Sequence, residues 1–451
     1  MTIRSPAVAG TFYPANPDAL DRVVRAALAS ANVDAAAAKA IVAPHAGYIY
    51  SGPIAGASFQ SVAHLGNLIN RVVLIGPTHR LYFPGIAVPT ATGLATPLGT
   101  VPIDAAGVSL ALADPEVALL DAAFDNEHAL EVELPFIQVL FPHAAVVPLI
   151  VGEASPKAVE RVLASLWGGP ETLIVVSSDL SHYYGYEAAR ALDLATSQAI
   201  EVIATAKVDA NRACGHRALS ALLHHAGERD LRATTRDLRN SGDTSGARDR
   251  VVGYGAYTFE HAEAARLTVA QRATLLEAAD AALRSLASRN GAPEVDMARV
   301  PAPLRALRNT FVTITIGGEL RGCVGTLEPS APLIADVVTN TRKAATQDRR
   351  FDPMTPEEIA AASISISISI LSHLRPIPFV GEADLLEQLR PSVDGLAIRD
   401  GEQRALFLPK VWDDLPSARD FLAHLKQKAG LPDRPLKPRT KAFRFTTETF
   451  S

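Results

Sequence analysis

Three apolar runs in the first half of the chain each stop at a turn that delivers a histidine, and this recurrence constrains the fold more than any other feature. Ile41-Val42-Ala43 meets Pro44-His45-Ala46-Gly47, and Val72-Val73-Leu74-Ile75 meets Gly76-Pro77-Thr78-His79. Leu173-Ile174-Val175-Val176 meets Ser177-Ser178-Asp179-Leu180-Ser181-His182. An unbroken apolar run that ends at a turn reads as an inner strand of a sheet covered on both faces, and open α/β folds place functional groups where such strands end. His45, His79 and His182 are therefore expected to meet at one sheet edge.

Helical spacing fills the intervals. Asn16-Pro17 caps a helix in which Leu20, Val23, Val24, Ala27 and Leu28 repeat at helical spacing, Gly52-Pro53 opens a second, and Ser155-Pro156 starts a third with Val159, Val162, Leu163 and Leu166 on one face. Ala145–Val151 reads as another buried strand, residues 240–246 as a glycine-containing loop, and residues 251–257 as the closing strand. The alternation predicts an α/β domain with a mostly parallel sheet flanked by helices. It spans residues 1–261. After a short linker, Thr268 caps a new helix and a smaller α+β domain, residues 266–451, begins. There, residues 311–316 and 320–326 form a hairpin about Gly317-Gly318, and the serine–isoleucine alternation at 363–370 puts four isoleucines on one buried face. Lys426, Lys428, Arg434, Lys437, Arg439 and Lys441, set among prolines, read as a solvated surface segment, with a nucleic-acid patch, joined by Arg321, as the alternative for this domain.

Composition narrows the function classes. With 451 residues, 48% hydrophobic and 20% charged, the chain is an ordinary globular one with room for two or three domains. A net charge of −5 gives no general drive toward nucleic acid. The two cysteines, Cys214 and Cys323, fall in different domains, which argues against a disulfide framework and for a reducing compartment. No run approaches the roughly 20 apolar residues of a membrane span, no leader is evident and no nucleotide-cofactor motif stands out, so a cytoplasmic location is expected.

Two imidazoles with a third anionic donor hold borderline and soft transition metals and leave positions open for substrate. His45 and His79 are the candidate imidazoles, and Cys214 is either the third donor or a buried apolar cysteine. Asp179 is placed to orient a ring or to cap the turn that follows it, and His182 to act as acid or base. Glu127, His128 and Tyr48 are the candidates for substrate contact, although in a helix Glu127 and Glu131 would simply share a solvated face, with Glu133 pointing elsewhere. His143 and His216 read as structural.

The run Pro6-Ala7-Val8-Ala9-Gly10-Thr11-Phe12-Tyr13-Pro14, followed in order by the turns at His45 and His79, Glu127-His128, Ser177-Ser178-Asp179, Cys214-Gly215 and Val252-Gly253-Tyr254, resembles the Memo family over roughly residues 4 to 260. The resemblance implies a fold like that of the class III extradiol dioxygenases, which are non-haem iron enzymes with a metal pocket at a sheet edge. It implies His45, His79 and Cys214 as ligands of one iron or copper ion and His182 at the acid/base position, with the thiolate where the dioxygenases keep a carboxylate. Leu320-Arg321-Gly322-Cys323-Val324-Gly325-Thr326 and Asp348-Arg349-Arg350-Phe351-Asp352-Pro353-Met354 resemble the AMMECR domain over about residues 268 to 448, with Arg321 and Cys323 as its candidate site residues. Such domains are similar to parts of the AmmeMemoRadiSam set, so the implied partner is a radical-SAM protein. The expected activity is metal-dependent redox or oxygen handling. The alternative is a non-catalytic module that binds a small molecule or peptide and partners that enzyme.

Overall fold

In the computed structural model, which describes residues 2–244, 246–288, 291, 293–326, 329–360 and 363–451, the chain divides into two units, Met1–Ala265 and Arg266–Ser451. The first is built on a nine-stranded sheet. In chain order its strands are Ala38–Ala43 (β1), Arg71–Pro77 (β2), Ile86–Val88 (β3), Val117–Leu119 (β4), Ala145–Val151 (β5), Thr172–Ser177 (β6), His182–Tyr184 (β7), Leu231–Asn240 (β8) and Val251–His261 (β9). They lie in the order β7-β9-β1-β6-β2-β5-β3-β4, with β8 also paired to β9. Successive residues of the inner strands face opposite cores. Val42, Val73, Ile75 and Val176 join one cluster, and Ile41, Val72, Leu74 and Val175 join the other. Helices Pro17–Ser30 (α1) and Tyr48–Val62 (α2) cover the second face, and Pro156–Ser165 (α3) and His216–Glu228 (α4) cover the first.

The sheet is mixed rather than mostly parallel. β1, β6, β2 and β5 run parallel, but β9 is antiparallel to β1, β7 and β8, and β3 is antiparallel to β5. The expectation failed at the edges because a strand buried on both faces carries the same apolar run in either direction. Asn16 and Ser155 cap α1 and α3 through their side chains as expected. By contrast, α2 begins at Tyr48, four residues before Gly52, and carries Pro53 inside it. Burial of Tyr48 against Tyr13 and Phe136 outweighs the backbone bond that proline cannot make. Ser245, in the loop read at 240–246, lies outside the described residues; Ser241–Thr244 forms a short helical turn.

The second unit holds two antiparallel four-stranded sheets. Thr310–Ile316 (β10) and Glu319–Gly325 (β11) form the expected hairpin, whose Gly317 and Gly318 have φ of 60° and 88°, a turn open to glycine at little cost. Ile364–Leu371 (β12) buries Ile368 and Ile370 fully but leaves Ile364 and Ile366 half-buried. The face is the predicted one, and depth follows pairing: β10 runs along the whole strand, whereas Thr447–Phe450 covers only residues 368–371. Of the basic C-terminal residues, Lys426 pairs with Glu382, Lys437 and Arg439 with Asp400, and Lys428 bonds the Leu406 carbonyl. A Cβ on Gly322 would stand 2.1 Å from the Ala344 carbonyl oxygen in the helix Leu333–Thr346. Gly322→Ala is therefore expected to cost about 1–3 kcal/mol, read as an earlier unfolding transition of this unit; an unchanged midpoint would show that strand and helix can part freely.

Among the described residues, no helix is long and apolar enough to cross a membrane.

Candidate metal centre

Because β1, β6 and β2 are adjacent and parallel, their C-terminal ends share one edge, and the turns that follow bring His45, Asp179 and His79 to it. The Asp179 carboxylate accepts the His45 backbone N–H at 2.8 Å. It thus fixes the turn rather than orienting a ring. The His45 ring is buried, and its Nδ1 lies 2.7 Å from Ser177 Oγ. His79 is more open, its ring 27% accessible, and its Nδ1 meets Glu127 Oε1 at 3.0 Å. Both contacts occupy Nδ1 and so turn Nε2 of each ring toward a ligand.

A third imidazole completes the group. His45, His79 and His128 each offer a ring nitrogen, and the three atoms lie within 4.8 Å of one another. The His79 and His128 rings stack at 4.6 Å, and the His45 ring stands edge-on to both. His128 Nδ1 is buried and lies 3.3 Å from Glu127 Oε1, out of hydrogen-bonding geometry, so it has no partner among the described residues. Three convergent imidazoles with an orphaned nitrogen are the donor set a borderline divalent ion takes, so these residues fit a metal. The sequence places His128 on the substrate side, whereas the fold brings its ring among the donors. It stands on an irregular segment, where no strand end announces it; the one available signal was its neighbour, Glu127, whose carboxylate holds His79.

Cys214 adjoins the group from the loop before α4. Its Sγ lies 3.3 Å from His45 Nε2 and receives the Asp179 N–H at 3.2 Å. Cys214 also lines a cavity of about 240 Å³ with Thr78, Glu153 and Arg217. Burial, and then the charge of Asp179, push the Cys214 thiol up to about 12. Burial raises Asp179 itself to about 7 against the His45 and Ala46 N–H groups, which hold it down. Burial also lowers His45, and the neighbouring His79, His128 and His182 lower it further. His128 falls to about 4 by burial and by His79. For Glu127 burial acts upward, yet the hydrogen bond and charge of His79 win and hold it at about 2. Burial thus keeps the His45 and His128 rings uncharged, while Glu127 stays a carboxylate against His79.

His182 holds Leu180 O through Nδ1 at 2.8 Å, which leaves Nε2 basic, and burial lowers it. The next residue, Tyr183, has φ of +63°, a left-handed backbone rare for a bulky residue. Tyr48 donates its hydroxyl to Val132 O at 2.6 Å and is buried, a packing role rather than a free contact. Glu127 and Glu131 do not share a helix face. Glu131 accepts from Arg4 Nη1 at 2.8 Å, Ala7 N at 2.7 Å, Val8 N at 2.9 Å and the Tyr13 hydroxyl at 2.7 Å. This latch holds the segment whose Phe12 ring packs 4.6 Å from His128. Glu131→Ala is expected to destabilise the first unit by about 3–5 kcal/mol, since one buried carboxylate satisfies four donors; denaturant unfolding that shifts by less than about 1 kcal/mol would show that the latch is dispensable.

In the second unit, Arg321 is tied to Glu358 at 2.8 Å and to the Asp352 carbonyl at 2.9 Å. Cys323 Sγ receives the Thr313 hydroxyl at 3.4 Å, and its N–H goes to Asp348 at 2.8 Å.

The sheet, with a candidate metal-binding histidine cluster beside the ends of its parallel strands, makes the first unit an α/β domain. The chain belongs to the Memo-like protein family, whose profile matches residues 4–258, and its second part matches the AMMECR1 profile over residues 276–450, so the two are fused in one polypeptide. A MEMO1 family protein of Archaeoglobus fulgidus is 34% identical over 270 residues, covering 57% of this chain and 99% of that one. A MEMO1 family protein of Ignicoccus hospitalis is 33% identical over 286 residues, with 57% and 99% covered. A solved structure of an uncharacterised protein from Pyrococcus horikoshii aligns with a TM-score of 0.36 and 27% identity, over 39% of this chain and 88% of that one.

Proposed function

We propose that the first unit holds a single iron or copper ion and handles a small-molecule redox reaction, in the manner of the class III extradiol dioxygenases. The carrying observation is the set of three ring nitrogens within 4.8 Å of one another, with a sulfur 3.3 Å from His45 Nε2. In this reading His45, His79 and His128 supply nitrogen, and Cys214 supplies thiolate from the His45 side. A bound redox ion would supply electron transfer and Lewis acidity. The chain's own residues do the rest. Glu127 and Ser177 orient the rings, Asp179 pins the His45 turn, and His182, uncharged at neutral pH with Nε2 free, takes a proton from the substrate. The fused second domain and the radical-SAM partner belong to the same proposal, with Arg321 and Cys323 as the second domain's contribution.

A second reading has a specific observation behind it. Three imidazoles and a thiolate make four protein donors, which for a tetrahedral ion is a closed, structural site. The unit would then be a binding module for a small molecule or peptide. Anaerobic purification, metal analysis and oxygen uptake with candidate aromatic diols separate the two. Iron or copper near one per chain together with diol-dependent uptake is the expected result; bound metal with no uptake across the diols would favour the module.

A further inference from the structure

Behind His45 lies a fully buried carboxyl group that the proposed reaction does not use. Glu133 has no exposed surface; its Oε1 is 3.3 Å from Ser177 Oγ, and its Oε2 has no partner among the described residues. Ser177 Oγ is also 2.5 Å from the Ala129 carbonyl oxygen and 2.7 Å from His45 Nδ1. A hydroxyl has one proton and two lone pairs, and a carbonyl can only accept. The 2.5 Å contact therefore takes the serine proton. Two lone pairs then remain: His45 donates to one through Nδ1–H, and a protonated Glu133 Oε1, 3.3 Å away, is placed to donate to the other. An ionised Glu133 would either face a lone pair of Ser177 or draw its proton away from Ala129, leaving two oxygens in bare contact.

The surroundings agree with this count. Burial first, and then the charge of Asp179, raise Glu133 well above the ordinary carboxyl range, while Ser177 alone acts downward. The Tyr48 hydroxyl, which also faces this carboxyl, gives its proton to Val132 O instead. His45 reaches Glu133 only through Ser177.

We infer that Glu133 is a positioning residue for the metal centre, an uncharged acid that donates to Ser177 and so holds the hydroxyl where it receives His45 Nδ1–H and turns the Nε2 lone pair toward the ion. The usual device sets a carboxylate behind a metal-binding histidine, and its charge strengthens the ligand. Here the acid supplies a hydrogen bond and no charge. The inference rests on the metal reading for what Nε2 binds, but the proton on Glu133 can be observed without metal.

The test uses the full chain. Infrared spectra of the metal-free protein at neutral pH should show the carbonyl stretch of a buried protonated carboxylic acid, which disappears in Glu133→Gln. Binding of cobalt(II), used as the probe, should be within about threefold of wild type in Glu133→Gln, whose amide N–H still donates to Ser177, and should weaken by about tenfold or more in Glu133→Met and Ser177→Ala. Loss of cobalt affinity in Glu133→Gln equal to that in Glu133→Met would mean that the site needs the negative charge, and would overturn the inference. So would an infrared spectrum with no band that depends on Glu133. Failure of the wild type to bind cobalt at all would instead fall on the metal reading.

Discussion

If the proposed centre holds an ion, replacing His45 with alanine is expected to strip the first unit of it. Structural ions bound by four donors gain roughly 10–16 kcal/mol in all, so one donor accounts for about 3 kcal/mol, or about two orders of magnitude in affinity. His79→Ala and His128→Ala should do the same, because the three nitrogens form one group. Metal analysis of protein purified in parallel reads the effect directly, and circular dichroism checks that each variant folds. His128→Ala is the most informative of the three. A full complement of metal in that variant would return His128 to the substrate side and leave the ion to His45, His79 and Cys214.

Metal affinity should also rise with pH by about tenfold per unit between pH 7.5 and 9. The sign follows from what each donor must lose. Burial leaves His45 uncharged and lowers His128 to about 4, so neither gives up a proton when it binds in this window. The Cys214 thiol, pushed up to about 12, is protonated throughout and must release one proton to become a thiolate. Competition titrations at several pH values give the slope. Cys214→Ser should flatten it, and a flat wild-type profile would remove sulfur from the donor set.

Much of the site was legible because parallel strands that end together need no long-range information beyond their apolar pattern. His45, His79 and Asp179 follow three such ends, and Glu127 was marked by a charge beside a histidine. His128 was not legible as a ligand, because the segment around it is irregular and only the tertiary fold turns its ring onto that of His79. Tyr48 looked free in the sequence, since nothing local shows that its hydroxyl reaches Val132 O. In the fold, cap residues such as Asn16, Ser155 and Thr268 were readable because capping is a local hydrogen bond. Strand direction at the sheet edges was not, because it depends on which neighbour a buried strand finds.

The lateral sequence β1, β6, β2 also dictates an order of assembly. Strand β6 stands between the two strands that carry His45 and His79, so a growing polypeptide cannot bring those rings to their final separation before residue 177 has been made and inserted. In the metal reading, ion capture follows the long-range pairing that limits folding rate, and nascent chains stalled short of that strand should emerge without metal.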